Sequence, residues 1–71
     1  MWYVLIDEKR GNMYAQEFED KAVGIDAGDK LWHIMEKADQ DNSDAFYLLE
    51  SVNPDEDAAN HFDGDIVKAW K

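Results

Sequence analysis

The stretch DQDNSDAFYLLE, Asp39 to Glu50, carries oxygen donors at the spacing of a calcium-binding loop. Asp39, Asp41 and Ser43 stand at its first, third and fifth places and Glu50 at its twelfth, where an EF-hand keeps its bidentate glutamate. The sixth place needs glycine for a sharp left-handed turn, and here it is Asp44. Three further features argue against a calcium loop. There is no second copy to pair with, Pro54 leaves an exit helix almost no length, and AFYLLESV, with its aromatic, aliphatic and β-branched residues, has the chemistry of a strand. As a strand rising ~3.3 Å per residue, it would carry Glu50 ~20 Å from Asp39, too far to share an ion. The stretch therefore reads as a helix stop, with calcium at Asp39, Asp41, Ser43 and Glu50 as the alternative.

A second acidic group, Asp55, Glu56, Asp57, His61, Asp63 and Asp65, offers hard donors in one loop. His61-x-Asp63-x-Asp65 has suitable atoms for a divalent ion but matches no known ligand spacing closely. The Asp63-Gly64 turn, with Asp65 directly after it, accounts for two of the acids without a metal. The two acidic groups fall at opposite ends of one strand and do not pool into a single site. Catalytic chemistry has less to build on. His33 lies on the charged arc of a helix beside Asp29 and Glu36, the position of a solvated histidine. Ser43 and Ser51 have no histidine at a suggestive spacing, and no glycine loop could cradle phosphate. A chain of this size has little room for a water-excluding pocket. The expectation is a non-enzymatic protein with no catalytic residues and no cofactor.

The chain has 71 residues, no cysteine and a net charge of −10. That length supports one domain, residues 1–71, whose core supplies only ~3–5 kcal/mol unless something reinforces it. Disulfides and thiolate zinc are excluded; three Trp, three Tyr and three Phe offer an aromatic-dense core instead. Between Lys37 and Lys68 stand Asp39, Asp41, Asp44, Glu50, Asp55, Glu56, Asp57, Asp63 and Asp65 with no Lys or Arg. Such a field disfavours direct nucleic-acid binding, which draws its affinity from cations replacing counterions. It suits cations, basic proteins or solubility. The longest apolar run, Met1 to Ile6, is too short to span a membrane and lacks the basic flank of a signal peptide. With no cysteine and no export signal, the expected location is the cytoplasm.

These residues need elements to position them. MWYVLID, residues 1–7, is apolar on both alternating faces and predicts a central strand. Gly11-Asn12 supplies positive-φ residues for a hairpin turn into a second strand, Asn12 to Phe18. From Asp20 to Ala38 the period changes to that of an amphipathic helix. Val23, Ala27, Leu31, Ile34, Met35 and Ala38 form its apolar arc, widened by Ile25 and Trp32. Gly24 and Gly28 lie on that side, where they would permit close approach to a sheet. A third strand covers Ala45 to Val52 and a fourth Ile66 to Trp70. The order β-β-α-β-β, with the doubly apolar first and third strands adjacent, gives an antiparallel four-stranded sheet in order 2-1-3-4. One helix packs on one face, making a two-layer α+β sandwich.

With the helix on one face, the first and third strands must still present apolar side chains on the other. Tyr3, Leu5, Tyr47 and Leu49 are the preferred set for that open face. Trp2, Val4, Ile6 and Phe46 are the set if the faces are reversed. A contiguous aromatic-aliphatic patch ringed by acids points to a protein partner or to self-association.

Ser51-Val52-Asn53-Pro54 and His61-Phe62-Asp63-Gly64-Asp65, within AFYLLESVNPDEDAANHFDGDIVKAW, carry a resemblance. The chain resembles a family of short uncharacterised acidic proteins encoded near conjugative and other mobile elements of Gram-positive gut bacteria. The resemblance spans most of the chain and implies a small α+β domain in a bacterial cytoplasm. It brings no activity, cofactor or site residues. The expected function is a non-enzymatic interaction or regulatory module of a bacterial mobile-element system. The alternative is a Ca/Mg binder working through residues 39–50 or through Asp55, Asp57, His61, Asp63 and Asp65.

Overall fold

The computed structural model describes residues 2–51 and 64–71. Among these residues the order is β1 (Trp2–Lys9), β2 (Asn12–Phe18), α1 (Lys21–Ile34), α2 (Lys37–Asn42), β3 (Ala45–Ser51) and β4 (Gly64–Ala69). The strands form one sheet in the order β2-β1-β3-β4, antiparallel at every pairing. The α+β architecture and the sheet order are those the hydrophobic patterns dictate. The two strands apolar on both sides occupy the middle because only there are both of their faces withdrawn from water.

The hairpin turn sits one residue earlier than Gly11-Asn12. Lys9 pairs with Asn12, so the two-residue loop is Arg10-Gly11, and these take the positive φ values, 50° and 81°. An arginine in the left-handed region is strained. The carboxylate of Asp44 holds it there by accepting the Arg10 N–H at 3.1 Å, while the Asp44 N–H donates to the Glu8 carbonyl at 2.7 Å. The residue that breaks the calcium-loop pattern thus clasps the hairpin.

Asp20 caps α1, its side chain accepting from the N–H groups of Ala22 and Val23 at 2.8 and 3.2 Å. The helix stops at Ile34 rather than continuing to Ala38. Met35 and Glu36 are extended, and α2 follows as a short separate helix. The side-chain amide of Gln40 donates to the Trp32 carbonyl at 2.7 Å, so α2 satisfies one of the acceptors that the end of α1 leaves open.

Gly24 and Gly28 are buried on the sheet-facing side of α1, as the close-approach reading requires. A Cβ on Gly24 would press on both methyls of Leu48, and one on Gly28 would stand inside the indole of Trp70. The apolar arc, however, is turned. The core below α1 contains Leu5, Phe46 and Leu48, with Tyr3, Phe18, Ile25, Ala27, Trp32, Met35, Val67 and Trp70 packed around them. Phe46 takes the rings of Trp32 and Trp70 at centroid distances of 5.5 and 5.4 Å. Val23, Leu31 and Ile34, read as core, are exposed instead (54, 38 and 76%). At 100° per residue the Gly24, Gly28, Trp32 and Met35 arc faces the sheet, leaving Val23 and Ile34 roughly 120° round from its centre. The aromatics rise to meet the glycines, so the bulky aliphatic residues are not needed beneath the helix.

Candidate interaction surface

The register of β1 against β3 decides which side chains share a face. Val4 lies opposite Leu49 and Leu5 opposite Leu48. Odd residues of β1 therefore stand beside even residues of β3, and the expected set Tyr3, Leu5, Tyr47 and Leu49 is divided between the two faces. Tyr3 and Leu5 belong to the core under α1. Tyr47 and Leu49 lie on the other face with Val4, Ile6 and Met13. The reversed set is divided too, since Phe46 belongs under the helix and Val4 and Ile6 do not. Nor is the second face an open apolar patch, because Val4, Ile6 and Leu49 are all buried. Tyr47 is half-buried there, with its hydroxyl directed at a Glu8 carboxylate oxygen 3.5 Å away. Burial first, and then the Glu8 charge, raise the Tyr47 pKa above its ordinary value.

The acidic residues are dispersed by secondary structure. Asp39 and Asp41 ride on α2, Glu50 on β3, and Ser43 is buried between them in the chain. The Ser43 hydroxyl donates to Asp7 Oδ1 at 3.1 Å and lies 3.3 Å from the Asp39 carbonyl, which makes it a fastener for α2. Among the described residues no three His, Asp or Glu side chains gather as a metal-ligand group. Asp55, Asp57, His61 and Asp63 lie outside the described residues. Asp65 is exposed on β4 directly opposite Glu50. His33 is exposed on α1. Close by, the pKa of Asp29 is lowered by the hydrogen bonds its carboxylate accepts from Lys68 and from the Trp70 indole, both 2.8 Å, and less by the Lys68 charge.

What the structure brings together instead is a groove along β2. Leu5, Asp7, Tyr14, Ala15, Gln16, Leu31 and Phe46 line a concavity of about 210 Å3 between α1 and the outer strand. Leu5 and Phe46 form its floor, Leu31 overhangs from the helix, and Tyr14 (60% exposed) stands on its strand side. At the hairpin end Tyr14 also borders a polar hollow lined by Lys9, Arg10, Asn12, Asp39 and Asn42. Val23 and Ile34 extend the apolar flank of α1 along the same side, opposite the flank where Asp29 is tied to Lys68 and Trp70 of the β4 side.

A sequence signal for this groove existed in the width of the helical arc. From Val23 through Gly24 to Ile25 the apolar residues cover more than half the circumference, and one sheet face cannot bury that much of a helix. No described helix is long and apolar enough to cross a membrane. Comparison with protein-family models, with curated proteins and with solved structures finds no match to the chain.

Proposed function

We propose that the protein is a non-enzymatic interaction module of the bacterial cytoplasm whose working surface is the groove between α1 and β2. The observation that carries this reading is the exposed set Tyr14, Val23, Leu31 and Ile34 flanking an edge strand. Exposed aliphatic residues alone are ordinary surface. Here they line one side of a seven-residue strand that has a single neighbour among the described strands. An extended peptide laid along β2 would gain main-chain hydrogen bonds from the strand and side-chain contact with the helix. The resemblance to proteins encoded near mobile elements accords with a role in modulating another protein.

The test is selection of extended peptides from a random library against the immobilised chain and its Leu31→Asp variant. Peptides enriched on the native chain should be apolar at alternate positions and be lost from the variant. In complex with them, the amide protons of Met13, Ala15 and Glu17 should gain exchange protection. Enrichment that survives Leu31→Asp, or protection confined to other strands, overturns the reading.

A further inference from the structure

We infer that the strand accepted by β2 is the β2 of a second copy, so that two chains join edge to edge in one eight-stranded antiparallel sheet. This inference rests on the groove along β2 being a strand-docking surface.

The two edges of the sheet differ in how they are protected. β4 carries Asp65 and Lys68, and its pairing with β3 shifts register between Leu48 and Leu49. Charges and irregularities of this kind blunt an edge against further pairing. β2, NMYAQEF, has no Lys, no Pro and a single charge, and it pairs with β1 without a shift over all seven residues. Lys9 and Asn12 close the two-residue turn as a hydrogen-bonded pair, and the alternation that follows leaves the backbone groups of Met13, Ala15 and Glu17 pointing outward.

A two-fold axis through Ala15 matches those outward groups with themselves. Ala15 then faces Ala15 of the second copy, Met13 faces Glu17, and Tyr14 faces Gln16, so the whole strand is paired and no like charges oppose one another within it. The same register sets Arg10 against Asp20 and Gly11 against Glu19. The basic turn of each copy therefore meets the acidic entry to α1 of the other, and this happens twice because the contact is isologous.

The helices fit the same arrangement. α1 packs over β1, so two copies of it would run three strand spacings apart, ~14 Å. A helix with its side chains is ~10–12 Å across, which leaves a shallow seam between the two. Leu31 and Ile34 of both copies, with Tyr14 below them, are the exposed side chains that would fill it.

Sedimentation equilibrium of the native chain in ~0.15 M salt, where charge repulsion is screened beyond ~8 Å, should show a concentration-dependent dimer. Ala15→Pro removes an N–H that points away from β1, and its fixed φ of about −65° is tolerated on an edge strand, so it should leave the circular-dichroism signal of the monomer nearly intact and abolish the dimer. Arg10→Glu should raise the dimer dissociation constant roughly tenfold, given two exposed ion pairs. A native chain that stays monomeric to millimolar concentration overturns the inference. So does a dimer that survives Ala15→Pro. A monomer whose β2 amides are nevertheless protected by selected peptides would remove the self-pairing while leaving the docking groove standing.

Discussion

The indole of Trp70 packs directly on the bare Cα of Gly28, and its Nε1–H donates to Asp29, the next residue, at 2.8 Å. One aromatic ring thereby fixes both the height of α1 above the sheet and its rotation. Gly28→Ala should gain ~1 kcal/mol of helix propensity. It should lose more, because the added methyl overlaps the ring and overpacking costs ~1–3 kcal/mol. The net expectation is a lower urea midpoint at unchanged m-value, with a shift in tryptophan emission. A midpoint above the native one would show that the indole is not held there.

Asp29 should report on acid unfolding. Its folded-state pKa lies below the ordinary aspartate value because Lys68 and the Trp70 indole both donate to it. Where the folded value is the lower one, the stabilisation is fully present above the unfolded pKa, about 4, and is lost as pH falls through the depressed folded value. The Trp70 Nε1–H resonance should therefore hold its position through pH 5 and move only below about pH 4. In Asp29→Asn that movement should vanish.

The turn at Arg10 offers a stabilising substitution. Its φ of 50° suits asparagine better than arginine, and the hydrogen bond to Asp44 uses the backbone N–H, which Arg10→Asn retains. A gain of up to ~1 kcal/mol is expected. Asp44→Ala should do the reverse, since it releases that N–H. Thermal melts of the two variants should move in opposite directions.

Glu50 and Asp65 face one another across β3 and β4. Like charges directly opposite weaken a sheet, and an opposite pair contributes ~0.2–1 kcal/mol. Asp65→Lys should accordingly raise the melting temperature, and the gain should shrink in high salt. No gain in low salt would mean that the two carboxylates are already separated by solvent.

Salt should stabilise the native chain as well. Nine acids between Lys37 and Lys68 have no Lys or Arg among them, so raising ionic strength from about 0.01 to 0.5 M should raise the melting temperature by screening their repulsion. A flat response that a chelator converts into a salt-dependent one would favour a bound divalent cation instead.

Strand positions and sheet order were legible in the sequence because they depend on periodicity, which is local. Two adjoining strands apolar on both sides have no stable place except the centre of a sheet. Gly24 and Gly28 announced a close approach in the same way, since glycine one turn apart has few other uses in a helix.

The faces were not legible. Whether Val4 stands beside Leu48 or Leu49 is a question of one residue of register, and each strand pattern reads equally well either way. A slip of one residue exchanges every side chain of a strand between the faces. Pairing decided it in the folded chain, with Leu49 opposite Val4 and Asp44 locking the hairpin from 34 residues away. The rotation of α1 was decided likewise. Its apolar residues run around too much of the helix to name a buried side by themselves, and Phe46, Trp32 and Trp70 fill the space beneath it from other elements. That long-range packing turns Leu31 and Ile34 outward over β2, so sequence periodicity could place them on a helix but could not tell core from contact surface.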